Sequence, residues 1–437
     1  MLSTTYRETG KVRRYLKKGA RRDQGAQDSQ RVEDTVRGML AEIRGQGDAA
    51  IRRYAAELDG WSQDVHVGRD QIDKVAARLP ETFKEDFEVC KRQIQEFARR
   101  QLASMIEIEE EVGPGIVLGH RHIPVKAVGC YIPGGKYPLV SAAIMSVGTA
   151  RVAGVSYVAG CAPPRDADGI YPPTLYALDR AGADEIYCLG GVQAMAAMAF
   201  GLVGVRAVDM ITGPGNPYVA EAKRQLFGTV GIDLLAGPTE ILVIADQTAD
   251  PSLVATDLLG QAEHGPDSPA WLVTTSEEIG RQVLAEVERQ LKTLPTKDIA
   301  AVSWNDFGEI VVVDDDDEAI AASDDYAPEH LEVMTARNDH YLANLKNYGS
   351  LFVGEETTVA YGDKGIGTNH TLPTGKAARY TGGLWVGKYI KTVTYQRMTP
   401  QASWQFAPIA ARQCEVESLL AHKITADVRR ARFGSGS

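Results

Sequence analysis

The first stretch able to do chemistry is Asp257-Leu-Leu-Gly-Gln261-Ala-Glu-His264-Gly-Pro-Asp267-Ser. Val254, Leu258 and Leu259 fall at helical spacing, and Gly265-Pro266 ends the helix. Gln261 and His264, three apart, project from one face of its last turn. Two donors converging at a helix end can begin a metal site, or be a surface Gln beside a capping His. Further along come Glu329-His330 at a loop-to-strand junction, then Asp363 and His370 in a glycine-rich loop that could not build a core. Glu417 and His422 follow on what reads as one C-terminal helix. A carboxylate beside an imidazole suits stepwise proton transfer near neutral pH. Strand alternation points Glu329 and His330 apart, although near a strand start both can line one cleft. Singly, each group also reads as a solvated pair or helix face; together they read as a site.

The remaining chain must position these groups. Ten short apolar runs, from 116–118 to 351–353, alternate with Ala-rich helices. Continuous apolar strands separated by helices imply parallel sheets covered on both faces. The count predicts a pair of α/β domains split near residues 231–238. Residues 30–113 read as helical, with Val32, Val36, Met39, Leu40 and Ile43 on one stripe and Ile51, Tyr54 and Leu58 on a second. No catalytic constellation appears there, so it reads as packing and assembly surface. Three glycine turns follow strands, at 131–136, 190–193 and 212–218, and they carry Tyr131, Gln193 and Asn216. Asn216 can cap a helix that has Pro217 in its first turn. Glycines let a ligand approach the backbone, and free N–H groups at a helix start attract phosphate. With no G-x-G-x-x-G, the turns imply a nucleotide crevice outside the usual fingerprint.

Composition bounds the reading. The 437 residues can bury more than one core, and 44% hydrophobic with 24% charged residues is ordinary for a globular protein. No apolar run approaches the roughly 18 residues of a membrane span, and the N-terminus lacks a signal-peptide core. A net charge of −11 argues against nucleic-acid binding. The basic cluster Lys11, Arg13, Arg14, Lys17, Lys18, Arg21 and Arg22 reads as a solvated arm. Five scattered cysteines, never in a C-x-x-C pair, fit a reducing cytoplasm and no thiolate metal site.

The ordered motifs carry a resemblance. They are Tyr131-Ile-Pro-Gly-Gly-Lys136, Gly213-Pro-Gly-Asn216, Ala236-Gly-Pro-Thr-Glu240, Gln261-Ala-Glu-His-Gly-Pro-Asp-Ser268, Pro328-Glu-His-Leu331, Gly367-Thr-Asn-His-Thr-Leu-Pro373 and Ala421-His-Lys423. Over nearly its whole length the chain resembles the histidinol dehydrogenase family. The resemblance implies a zinc-dependent homodimer that oxidises a primary alcohol to a carboxylate in two NAD-dependent steps. It implies Gln261, His264, Asp363 and His422 as zinc ligands, with His422 reaching over from the second subunit. Glu329 and His330 become the bases, Thr239, His370 and Glu417 substrate contacts, and Tyr131, Gln193 and Asn216 nucleotide contacts. Four regions are then expected: a helical region 1–113, a Rossmann-like NAD-binding domain 114–236, a second Rossmann-like domain 237–378 with the metal site, and a helical tail 379–437 serving the other subunit of an intertwined dimer.

One segment departs from the biosynthetic pattern. Arg379-Tyr-Thr-Gly-Gly-Leu-Trp385-Val-Gly-Lys388-Tyr389-Ile-Lys391-Thr-Val-Thr-Tyr395-Gln-Arg397 is bulky and basic where a smaller, more acidic sequence is usual. It resembles the branch that oxidises 2,3-dihydroxypropane-1-sulfonate to sulfolactate. A permanent anion needs fixed cations, with Lys388 the first choice and Arg379, Tyr395 and Arg397 behind it. Oxidation of histidinol to histidine is the alternative. A zinc hydrolase would not need the nucleotide turns, and an inactive scaffold would not need both ligands and bases.

Overall fold

The computed structural model describes residues 5–6, 13–20, 25–135 and 137–434. Five parallel strands form one sheet, in the order Gly231–Ile232, Met210–Thr212, Ala127–Tyr131, Tyr157–Ala162, Glu185–Cys188. From the central strand the chain moves outward to one side, then returns and leaves to the other. The switch lies between Ala127–Tyr131 and Met210–Thr212, where a doubly wound sheet opens a crevice at its carboxyl ends. In the seven-stranded sheet the parallel strands run Glu309–Val312, Ala270–Thr274, Ile241–Ala245, His330–Met334, Ser350–Val353. Ile241–Ala245 is buried throughout, as a strand covered on both faces must be.

The basic cluster is not a solvated arm where the structure describes it. Arg13–Lys17 pairs antiparallel with Glu309–Val312 and extends the second sheet. Lys17 Nζ donates to the carbonyls of Trp304 (2.6 Å) and Gly308 (2.7 Å), and Arg14 meets Glu277 at 3.0 Å. Lys11, Arg21 and Arg22 lie outside the described residues, as does Lys136. The lysine and arginine stems supply enough apolar length to edge a sheet while their heads find partners.

Two other segments differ from expectation. The helix Glu81–Ala103 stops short, and Ile108–Gly113 is a strand instead of its continuation. It pairs antiparallel with Ile116–Pro124 across the Gly113-Pro114-Gly115 turn, and that pairing overrides the helix preference of three consecutive glutamates. Ile390–Met398 completes this third sheet from within what reads as a helical tail. The β-branched run Thr392-Val-Thr394 is its local signal. Beyond it, Pro400–Val416 and Leu420–Phe433 form a helical hairpin. Glu417 and Ser418 fall in the break, with Ser418 at φ 60°, so Glu417 and His422 do not share a helix.

The N-terminal helices belong to the core of the five-stranded sheet. Val36, Met39, Leu40, Ile43 and Ile51 pack there with Leu384, Val386 and Tyr389 from far along the chain. Leu58, assigned by its spacing to the buried stripe, is instead exposed. No helix among the described residues is long and apolar enough to cross a membrane.

Candidate active site

Two contiguous cavities lie between the sheets. The larger, about 700 Å³, is lined by Tyr131, Gly134, Gly190, Gln193 and Asn216, at the carboxyl ends of the five-stranded sheet. The smaller, about 420 Å³, shares Pro133, Leu139, Asn216 and His264 with it and adds Thr239, Glu329, His330, Asp363 and His370. Thr239 and Glu329 precede their strands, and His330 opens one. The catalytic candidates therefore line the amino ends of the second sheet and face the carboxyl ends of the first.

In the larger cavity Asn216 caps its helix, its Oδ1 accepting from Val219 N at 3.0 Å. A buried ion pair, Lys223 with Asp233, braces this turn from behind. Lys223 Nζ donates to Gly213 O (2.9 Å), and Asp233 accepts from Gly213 N (2.8 Å). The Gly190–Gly191 turn is not a free phosphate cradle. Gly190 N donates to Asp59 Oδ2 (3.0 Å), and Gly191 N donates to the Tyr131 hydroxyl (3.3 Å). Gln193 Nε2 also donates to Asp59 (2.8 Å), which leaves Gln193 Oε1 buried without a partner and able to accept from a ligand. Asp59, with Thr35, Met39 and Leu58, thus brings the N-terminal helices into the site, which sequence reading missed. An acidic residue in a last helical turn works against the helix dipole, and that was the available signal.

The smaller cavity holds the acid–base groups. His330 Nδ1 is 2.9 Å from the carbonyl of Glu240, which can only accept, so Nδ1 carries the proton. Nε2 keeps its lone pair, has no partner, and lies 3.9 Å from Asp363 Oδ1. Burial holds the His330 imidazolium pKa below its ordinary value, so the ring is neutral and ready to take a proton. Glu329 Oε2 accepts from Thr239 Oγ1 (2.5 Å) and Glu240 N (2.9 Å) and sits 3.5 Å from His330 Nδ1. Burial, reinforced by Glu240 and Asp363, pushes Glu329 well above the usual carboxylate range despite those donors. The neighbouring Glu240 is pushed up to about 7, again by burial.

Gln261 is buried behind this pair, donating to Thr239 Oγ1 (2.5 Å) and approaching His330 Nδ1 at 3.3 Å. Burial lowers His264 and takes His370 down to about 4, while Asp363 opposes both shifts. Thr239, Gln261, His264, Glu329, His330, Asp363 and His370 are therefore brought together. Lys388 lines a different cavity of about 430 Å³, with Trp385, Thr368 and Asn369. Glu417 and His422 are exposed on the C-terminal hairpin and line neither cleft cavity.

A second buried carboxyl pair lies behind the site. Asp257, one turn before Gln261, shares a hydrogen bond with Glu332, two residues after His330. Glu332 Oε1 accepts from Val359 N (3.1 Å), at the start of the helix Val359–Lys364 that carries Asp363. Burial raises both carboxyls, so one proton serves the pair and ties together three elements of the site.

Zinc fits part of this arrangement. Gln261, His264 and Asp363 offer N and O donors with neutral imidazole, and the buried His330 Nε2 and His370 Nδ1 lack partners. Among the described residues of one chain, however, no three His, Cys, Asp or Glu side chains are arranged to hold a metal. A complete set needs another donor.

The model of the histidinol dehydrogenase family matches residues 22–430. A histidinol dehydrogenase homolog from Shouchella clausii is 52% identical, over 96% of this chain and 99% of its own. The sulfopropanediol 3-dehydrogenase of Ruegeria pomeroyi is 46% identical over 96% of each. The crystal structure of histidinol dehydrogenase from Elizabethkingia anophelis superposes with TM-score 0.88 at 35% identity, covering 96% of this chain and 95% of that one. The chain thus belongs to the histidinol dehydrogenase family, whose members are NAD-dependent, zinc-binding enzymes, and is an NAD-dependent dehydrogenase.

Proposed function

We propose that the enzyme oxidises 2,3-dihydroxypropane-1-sulfonate to sulfolactate in two hydride transfers. The observation that carries this reading is 46% identity, over 96% of both chains, to a sulfopropanediol 3-dehydrogenase. Histidinol dehydrogenases from Agrobacterium fabrum and Rhizobium meliloti are 40% and 41% identical. In the first step the primary alcohol and NAD⁺ give aldehyde, NADH and a proton. In the second, aldehyde, water and another NAD⁺ give carboxylate, NADH and two protons.

The residues divide the work. His330 Nε2 takes the hydroxyl proton as hydride leaves carbon, and Glu240 O holds the ring through Nδ1. Glu329, once deprotonated, removes a proton from the water that adds to the aldehyde, with Thr239 and Glu240 N orienting its carboxylate. Asn216, at the junction of both cavities, positions the nucleotide against the substrate. When bound, zinc supplies a Lewis acid that lowers the pKa of the alcohol. Gln261, His264 and Asp363 would hold it from one chain, and His422 would come from a second copy, together with Glu417 as a substrate contact.

Support for a second copy comes from the hairpin itself. Leu420, Ile424 and Val428 form a stripe at helical spacing that is more than half exposed, and the hairpin's own buried core is Ala407, Ala411 and Ala426. An apolar stripe without a core of its own needs a covering surface. The five cysteines are free thiols, which suits the cytoplasm.

The test is NADH formation with sulfopropanediol and with histidinol, side by side. Two NADH per sulfopropanediol, with histidinol a poor substrate, is the expected result. Efficient histidinol oxidation with the sulfonate ignored would replace this reading by its alternative.

A further inference from the structure

We infer that Lys364 selects the anionic headgroup of the substrate, an inference that rests on the sulfonate reading above. The cleft holding Glu329 and His330 is lined by two carboxylates, Asp267 and Asp363, by the raised carboxyl of Glu329, and by a single Lys or Arg among the described residues, Lys364. The zinc proposed here would face the hydroxyl being oxidised, so a permanently charged headgroup at the other end of the substrate needs a cation of its own. The basic segment 379–397 does not supply one within the chain. Arg379 donates to Asp325 O (2.9 Å), the Tyr395 hydroxyl is taken by Glu109, Lys388 lines the other cavity, and Arg397 is exposed on Ile390–Met398 outside the cleft.

Lys364 is well placed for the task. It is the last residue of Val359–Lys364, and Gly365, at φ 134°, packs against Cys90 so closely that a Cβ there would lie 2.4 Å from the Cys90 Cβ. The backbone at Lys364 is therefore fixed at the cleft, while the side chain stays 64% exposed and free to swing. Its ammonium lies 4.0 Å from Asp363 Oδ2, at the outer limit of an ion pair, so turning toward a substrate anion gives up little.

The same charge works against the competing substrate. Histidinol carries a protonated amine, which a lysine at the cleft repels; a sulfonate is attracted. One residue thus favours one substrate and penalises the other, which is how specificity is set.

The experiment compares sulfopropanediol with an uncharged 1,2-diol in one preparation, so that partial loss of active enzyme cancels. For Lys364→Met, the ratio of kcat/KM for sulfopropanediol to that for the neutral diol should fall roughly 10- to 100-fold, the worth of a hydrogen bond to a charged group. Lys364→Arg should keep most of the ratio. An unchanged ratio in Lys364→Met would overturn the assignment to Lys364 and leave the sulfonate reading intact. Wild-type enzyme that ignores sulfopropanediol would overturn the reading itself. Should Lys364→Met turn over neither substrate, calorimetric binding of sulfopropanediol decides: affinity equal to wild type overturns the assignment, and a 10- to 100-fold loss supports it.

Discussion

Two of the chain's Glu–His pairs sit in opposite settings. Glu329 and His330 are buried between sheets, 3.5 Å apart, with Glu raised and His lowered by burial. Glu417 and His422 lie exposed on a hairpin whose apolar stripe is uncovered. Residue type is the same; only the first pair has been taken out of water. Burial alone shifts the protonation of the first pair, whereas the role proposed for the exposed pair depends on another surface covering it.

The largest expected effect breaks the comparison from the exposed side. His422→Ala should remove bound zinc and abolish turnover, a loss above about 10³-fold, with the melting transition little changed. Metal analysis and a thermal scan check both halves. Active enzyme that binds no divalent metal would contradict the ligand set. On the buried side, Glu329→Gln keeps shape but removes the base. It should cost on the order of 10²–10⁴ in aldehyde oxidation and much less in alcohol oxidation, measured by supplying each substrate separately. Equal losses in both steps would remove the division of labour.

Stability sharpens the contrast. Glu332→Ala leaves Asp257 and Val359 N without their partner in the interior and should cost roughly 2–4 kcal/mol in denaturant melts. Glu417→Ala should stay within about 0.5 kcal/mol. The buried side also carries a pH dependence. With Glu240 pushed up to about 7, the folded protein holds a proton that the unfolded chain has released between pH 4.5 and 7. The unfolded state binds fewer protons in that window, so stability should fall as pH rises through it, by roughly 2–3 kcal/mol relative to Glu240→Gln. Melts of both proteins at pH 5 and 7.5 measure it; parallel pH dependences would show that Glu240 is not the group.

How much of this could be read in the sequence follows from range. The parallel strands were legible because continuous apolar runs report burial on two faces, and Ile241–Ala245 falls on its expected residues. Ile108–Gly113 was not, because its glutamates favour helix and only pairing with Ile116–Pro124 makes it a strand. The basic edge strand Arg13–Lys17 was equally silent, since its partner lies almost three hundred residues away. In the site, glycine turns and His-bearing loops announced themselves. Asp59 and Lys364 did not: each is an ordinary surface type whose role depends on which cavity its backbone faces.

The division of the site between two copies can be measured by complementation. Glu329→Gln and His422→Ala chains, each deficient alone in oxidising the aldehyde, are co-expressed with different tags and the mixed dimer is assayed for aldehyde oxidation. If the cleft of one chain uses His422 of the other, each mixed dimer has one site with both defects and one intact. Equal random pairing should then restore roughly a quarter of wild-type activity, and purified mixed dimers about half. No recovery in a confirmed mixed dimer would mean that cleft and hairpin of the same chain form the site, and would contradict the account.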